Sequence, residues 1–297
     1  MLTIDPKTVP TPLIHQYLVG AVAPRPIAFV SSIDENGIPN LAPYSFFNCF
    51  SSKPPILVFS SNRKVRDNVT KDTLHNVEVT GEVVINVVSY DIVRQAAVAS
   101  VEYPSLVNEF EKSGLTPIAS ELVRPFRVKE SPVQMECLVR QIIPLGEEGG
   151  SGHLIICEIQ RMHIDEKVLD DQGRIDPQRI DLMGRMGRAF YVRASGESVY
   201  TIFQDMAKIA IGFDQLPASA RHSDVLTGNN LGYLAGLTAA PSKDTIDALR
   251  STENIAQILA VASNPVHALH RLAQQALAAE LPEHAAALVW LAEEVAR

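Results

Sequence analysis

The sequence predicts an α+β, mainly β protein: a small antiparallel barrel with short helical inserts, followed by an α-helical C-terminal extension. Three observations carry this. Short runs rich in β-branched residues recur through the first two-thirds of the 297 residues, punctuated by hairpin signals. No strand–helix–strand rhythm and no glycine-rich dinucleotide turn accompanies them, which disfavours a doubly wound sheet. From about residue 198 the strand-like runs stop, and alanine and leucine rise. The expected division is therefore 1–197 and 198–297.

In chain order, Ile27–Ile33 is an apolar run entering Asp34-Glu35-Asn36-Gly37, a hairpin signal because Asn-Gly tolerates positive φ, with Ile38–Ala42 as the return strand. Ile56–Ser60 and Val83–Ser89 read as buried strands. Helices are expected at Asp72–Val79, stopped by Gly81, at Ile92–Val101, and at Ser105–Ser113, stopped by Gly114. Val133–Leu145 and Leu154–Ile164 are two long strands joined by the glycine-rich turn Gly146–Gly152. In the extension, Ser242 caps a helix that carries Asp244 and Asp247 near its start, Asn264-Pro265 opens a second, and Pro282 opens the last.

Charge and composition set bounds on function. A formal net charge of −8 excludes a broad nucleic-acid footprint. No apolar run reaches membrane-spanning length and residues 1–12 hold no apolar signal core, so neither a membrane nor an export route is expected. Cys49, Cys137 and Cys157 are an odd set without CxxC spacing, which points to a reduced, cytoplasmic setting. No P-loop, GxGxxG, HExxH or GxSxG pattern occurs. Ser61-Asn62-Arg63-Lys64 fits SxxK but lacks that motif's partners, and His267 with His270 has no third ligand to complete a metal site.

Two neighbouring segments carry the chemistry. Ala42-Pro43-Tyr44-Ser45-Phe46-Phe47-Asn48 sets a proline-pinned backbone and a hydroxyl beside aromatic surface, read as a loop along a flat ring system. Lys71-Asp72-Thr73 sets a cation and a hydroxyl at a helix start, where free N–H groups suit a phosphate. Asp72, repulsive to phosphate, is read as the N-cap of that helix. Together they point to a phosphorylated heteroaromatic cofactor, FMN foremost. Tyr44, Phe46 and Phe47 also fit plain core, and Lys71 a solvated surface position. Arg25, stiffened between Pro24 and Pro26, fits a ligand or subunit contact or a surface role. His153 and His163 would share a face if one regular strand holds both.

The order Pro24-Arg25-Pro26-Ile27, Leu41–Asn48, Phe59-Ser60-Ser61-Asn62, Lys71–Asn76, Phe110–Pro117, Glu130–Cys137, Gly152-His153 and Leu182–Gly187 resembles the flavin reductase-like family of FMN-binding split β-barrels, over roughly residues 10–195. The resemblance implies a homodimer with FMN near the subunit interface. It places Ala42, Pro43, Tyr44, Ser45, Phe46 and Asn48 along the isoalloxazine and ribityl chain. Ser60 and Asn62 fall at the ribityl or phosphate, Lys71, Asp72 and Thr73 at the phosphate end, and His153 near flavin or nicotinamide. It implies an NAD(P)H:flavin oxidoreductase, with an FMN electron carrier of the flavoredoxin kind, or a reductase component serving a partner oxygenase, as alternatives. Two positions depart from the family pattern: Cys157 stands where glycine is common, and Arg188 replaces a small residue.

Overall fold

The structure, a computed structural model, describes residues 1–202, 204 and 207–297. It divides into two compact units, Met1–Tyr200 and Thr201–Arg297.

The first unit opens with α1 (Thr11–Ala21), then β1 (Ala28–Ile33), β2 (Pro39–Tyr44), β3 (Phe47–Ser52), β4 (Pro55–Asn62), α2 (Asp72–Thr80) and β5 (Glu82–Val87). It continues with α3 (Val93–Val98), α4 (Glu109–Ser113), the short pair β6 (Pro117–Ile118) and β7 (Arg127–Val128), then β8 (Val133–Pro144) and β9 (Gly152–Ile164). α5 (Pro177–Ile180) and the hairpin β10 (Leu182–Arg185) and β11 (Tyr191–Ala194) close it. Seven strands form one sheet in the order β2-β1-β5-β8-β9-β4-β3, antiparallel throughout.

That order makes the sheet a split barrel. β2 and β3 are its two opposite edges, yet only Ser45 and Phe46 separate them in the chain. Three Cα steps span at most about 11 Å, so the sheet must curl until its edges meet. The Ser60 N–H donates to the Phe46 carbonyl at 2.8 Å and pins the seam to β4. The inward faces of the strands fill the barrel with Ala28, Val30, Phe59, Ile85, Cys137 and Ile155, and Leu74 and Val77 of α2 join them. On the outer face of β1, Phe29 packs with Ile92, Ala96 and Phe110 from α3, α4 and their approach.

The β1–β2 hairpin forms where Asn-Gly predicts it. Gly37 has φ 85°, and the Asp34 carboxylate accepts from the N–H groups of Asn36 and Ile38 at 2.9 and 2.7 Å. The segment Ala42–Asn48 corrects the sequence reading, because most of it is not loop. Ala42, Pro43 and Tyr44 end β2, and Phe47 and Asn48 begin β3. Pro43 is tolerated because β2 is an edge strand and needs no outward ladder donor. The strand character of β3 was hidden because residues 48–52 are all exposed and show no apolar alternation.

β9 is not regular. Its pairing with β8 steps from Glu136↔Arg161 to Cys137↔Ile159, leaving Gln160 as an extra residue that inverts the side-chain phase. His153 therefore faces inward with Ile155 and Cys157, whereas His163 faces outward onto Glu136, so the two histidines lie on opposite faces. Cys157 itself is buried in the barrel core, where burial pushes its thiol well above the usual range.

The second unit is helical: α6 (Ala218–Arg221), α7 (Gly228–Ala235), α8 (Lys243–Arg250), α9 (Glu253–Val261), α10 (Pro265–Ala278) and α11 (Pro282–Ala296). Ser242 Oγ accepts from the Thr245 N–H at 3.2 Å and Asn264 Oδ1 from the His267 N–H at 3.0 Å, the caps that the sequence signals. Leu234, Leu269, Ala273, Leu288 and Leu291 centre its core. His270 is buried in this unit, where desolvation lowers its pKa. Among the described residues no helix is long and apolar enough to cross a membrane, and no cluster of three His, Cys, Asp or Glu side chains is arranged to hold a metal.

Candidate functional site

The seam gathers the chemistry. Tyr44, the last residue of β2, turns inward; its ring lies 5.2 Å from that of Phe59, and burial pushes its hydroxyl pKa to about 12. The Tyr44 hydroxyl is left without a geometrically sound hydrogen bond, as is that of the neighbouring buried Ser61. The Lys71 ammonium stands 5.0 Å from the Tyr44 ring centroid. Burial lowers the Lys71 pKa; Glu102 offsets this in part and Lys64 adds to it. Lys64 itself is paired with Glu102 at 3.1 Å, whereas Lys71 has no ion pair among the described residues.

The start of α2 is built differently from the sequence expectation. The N-cap is Lys71, with no side-chain cap bond, and Asp72 is the first helical residue. Asp72 Oδ1 instead accepts from Ser105 Oγ at 3.0 Å. A carboxylate at that position still opposes the positive helix end favourably, which is why it is accommodated there. Thr73 is fully buried, and its hydroxyl accepts from Asn40 Nδ2 at 2.8 Å, so its side chain braces β2 against α2.

Two clefts flank this centre. One of about 260 Å³ lies between the β1–β2 hairpin and α2; its lining includes Asp34, Glu35, Asn40, Lys71, Asp72 and His75. The other, of about 250 Å³, is lined by His15 and Gln16 of α1, by Arg25, by Ser45 and Phe46 at the seam, and by Arg185 and Arg188 near the β10–β11 turn. The sequence-predicted residues thus divide. Ser45, Phe46 and Arg25 meet in one cleft, Lys71 and Asp72 in the other, with Tyr44 between.

Arg25 is only 7 % exposed. Its Nη1 donates to the carbonyls of Val19 and Val22 and its Nη2 to that of Met186 at 3.0 Å, while its backbone pairs with Arg185 in both directions at 2.9 and 2.8 Å. Its guanidinium carbon is 5.9 Å from the Phe46 centroid. Burial lowers the Arg25 pKa, and the charge of Arg185 adds to the effect. Arg25 thereby ties α1 to β10. Arg25→Lys keeps a charge but loses the planar fork, and an expected loss of about 2 kcal/mol follows from the abandoned carbonyls. Thermal melting, together with faster proteolysis within α1, checks it.

The remaining candidates are tied to one another. Ser60 Oγ donates to Asn62 Oδ1 at 2.8 Å, and Asn62 Nδ2 to the Gly150 carbonyl at 3.3 Å. Position 152 must be glycine for this pair to form, since a Cβ there would stand 2.5 Å from Ser60 Oγ. His153 Nδ1 lies 3.2 Å from the Ser61 carbonyl, which fixes Nδ1 as the protonated nitrogen. Asn48 points to solvent and accepts from the Cys49 N–H at 2.8 Å, apart from the others.

Residues 20–178 match the family model of the flavin reductase like domain. The chain belongs to that family. An uncharacterized protein of Aquifex aeolicus is 39% identical over 185 residues, covering 62% of this chain and 91% of the relative. Among solved structures, nitrilotriacetate monooxygenase component B from Bacillus cereus is similar at 32% identity, with TM-score 0.62 over 69% of this chain and 98% of that one. The 2-nitrobenzoate 2-nitroreductase NbaA of Pseudomonas fluorescens is similar at 26% identity, with TM-score 0.59 over 68% and 96%.

Within this flavin reductase-like fold, three site residues escaped the sequence reading. Glu109, in α4, is buried and accepts from the Leu41 N–H at 3.0 Å, capping the outer edge of β2 just before the seam; burial raises its pKa. His15 and Gln16 come from α1, which was not expected as a helix at all. The available signal was Pro12, which sits in the first turn of α1, where its missing N–H has no intrahelical partner to lose.

Proposed function

We propose that the flavin reductase-like unit holds FMN at the seam and passes hydride from NAD(P)H to it, acting as an oxidoreductase in a reduced, cytoplasmic setting. The observation that supports this best is the placement of an unpaired, half-buried ammonium, Lys71, against the inward ring of Tyr44, one short step from the aromatic turn Ser45–Phe46. The donor set fits the cofactor. Lys71 meets a phosphate charge at the start of α2, and the buried hydroxyls of Tyr44 and Ser61 make no well-aligned hydrogen bond among the described residues.

Flavin, when bound, supplies the hydride-accepting chemistry. The chain's residues bind, orient and exclude water. Lys71 fixes the anionic end; Ser45 offers a hydroxyl and Phe46 a ring face at the seam. Phe59, fully buried beside Tyr44, keeps the barrel side dry. His153 spends its Nδ1–H on the Ser61 carbonyl, which orients the ring against the end of β4 and leaves Nε2 as its remaining polar atom. A homodimer is part of the reading, because β3 is an uncovered edge strand with Phe50 at 68 % exposure. Similarity to nitrilotriacetate monooxygenase component B supports a second element, a partner oxygenase that receives the electrons.

The freshly purified protein is expected to be yellow and to bleach within seconds of adding reduced nicotinamide nucleotide without oxygen. Colourless protein that takes up no FMN would sink the cofactor assignment. Bound flavin that no nucleotide bleaches would leave the electron carrier as the function.

A further inference from the structure

We propose that the cleft between α1 and the β10–β11 turn seats a phosphate ester of the nicotinamide dinucleotide, so that a 2′-phosphorylated donor, NADPH, is preferred over NADH. This rests on the reductase reading above.

The first observation is charge. The chain carries a net −8, yet this cleft of about 250 Å³ is lined by three guanidinium groups and an imidazole with no carboxylate among them. The cleft beside α2 has Asp34, Glu35 and Asp72 in its wall. Arg25, Arg185 and Arg188 line one cleft without an acid, which is costly unless an anion completes the set; burial lowers the Arg25 pKa, and the charge of Arg185 adds to the effect. A phosphate monoester carries up to two negative charges and matches the guanidinium fork.

The second observation is how the three arginines are held. Arg25 is immobilised on three carbonyls and serves as a fixed positive wall. Arg185 gives only one side-chain bond, to the Phe190 carbonyl at 3.1 Å, and its guanidinium lies 4.6 Å from the Tyr191 ring centroid, which leaves most of its donors unused. Arg188 is exposed and makes no hydrogen bond or ion pair among the described residues. It also sits at φ 56°, in the left-handed region that favours glycine. The turn is closed around it by the Phe190 N–H to the Gly187 carbonyl and by the Met186 N–H to the Phe190 carbonyl. Gly187 packs so closely on α1 that a Cβ would stand 3.3 Å from Gly20 Cα. A strained, rigidly backed turn therefore presents an unpaired cation beside two others. Asn68, Asp181 and Glu280 share that backbone region, so it is the unpaired cation beside Arg25 and Arg185, not the φ value alone, that points to an anion.

The third observation is position and size. The cleft shares Ser45 and Phe46 with the seam, where the flavin is placed, and its volume suits a ribose phosphate rather than a whole dinucleotide.

The test is calorimetric titration of the purified, flavin-loaded protein with 2′,5′-ADP and, separately, with 5′-AMP. The 2′-phosphorylated nucleotide is expected to bind about tenfold tighter or better, with affinity falling as salt rises. Arg188→Gln and Arg185→Gln are each expected to weaken 2′,5′-ADP about tenfold. The ratio of kcat/KM for NADPH to that for NADH should fall by a similar factor in Arg188→Gln, whose exposed side chain contributes nothing to the core. Equal binding of the two nucleotides, or an Arg188→Gln protein that binds 2′,5′-ADP as the parent does, overturns the proposal. Displacement of 2′,5′-ADP by added FMN also overturns it, by giving the cleft to the flavin's own phosphate. If no nucleotide reduces the flavin, the reductase reading fails on its own, and the 2′,5′-ADP titration still decides the cleft.

Discussion

Replacing Glu136 with alanine is expected to lower the melting temperature of the first unit by about 10 °C. Glu136 is wholly buried on β8, and three groups converge on its carboxylate. The Glu121 and Leu122 N–H groups donate at 2.9 and 2.6 Å, and His163 Nε2 lies 2.7 Å away. Arg127 stands at 3.9 Å, and Arg161 pairs with Glu121 at the rim. The outer segment around residues 119–127 has no sheet partner beyond the short β6–β7 pair, and two carboxylates hold it: Glu136, and Glu82, whose Oε2 accepts from the Arg124 N–H and Nε at 3.0 and 2.8 Å. Removing the Glu136 carboxylate strands two backbone donors and a histidine, at a cost of about 3–5 kcal/mol. Glu136→Gln retains one acceptor oxygen and should lose about half as much. Equal losses in the two variants would show that the charge, not the acceptor geometry, holds the segment.

The same site sets an acid limit. Burial pushes the Glu136 carboxyl up, but the bonds from Glu121, Leu122 and His163 outweigh it and leave the group below its usual range. A carboxyl lowered on folding contributes stability above its unfolded pKa of about 4.3, and that contribution is lost as pH falls through the folded value. The alanine variant lacks this contribution, so its acid denaturation should be shallower than that of the parent.

Glu136 also shows what sequence alone could carry. Its segment, Glu130–Cys137, was recognisable as part of a family pattern, but nothing in the order of residues says that a carboxylate on a strand clamps a loop from another part of the chain. The long hairpin β8–β9 was legible because both strands are apolar and meet at glycines. The inversion at Gln160 was not, since a one-residue bulge changes which face His163 occupies without altering composition. Likewise β3 lies at an exposed edge, and strand pairing there comes from the backbone of β4 rather than from a hydrophobic stripe. The candidate site was half legible. Lys71, Tyr44, Phe46 and Arg25 stood out by local chemistry. The role of Thr73 depends on Asn40 and that of Asp72 on Ser105, both remote in sequence.

Those two remote contacts sharpen the expectation for Lys71. Lys71→Ala alone should weaken FMN binding by about 10- to 100-fold, the loss of one charge-assisted contact worth about 1.5–3 kcal/mol. Thr73→Ala should add little to that, because its side chain is buried between β2 and α2 where it accepts from Asn40, and should instead cost about 1 kcal/mol of stability. Fluorescence titration with FMN and a parallel thermal melt separate the two effects. The pH dependence follows from the protonated form being the one that meets phosphate. Burial lowers the Lys71 pKa, with Glu102 opposing and Lys64 assisting, so FMN affinity holds below that value and declines as pH rises through it, earlier than for an ordinary lysine. Lys71→Arg keeps its charge throughout that range and should abolish the decline while retaining most of the affinity at neutral pH. If Lys71→Ala binds FMN as tightly as the parent, the phosphate is held elsewhere, and the guanidinium groups of Arg185 and Arg188, with donors to spare, become its place. The same titration on Arg185→Gln would then show the loss that Lys71→Ala did not.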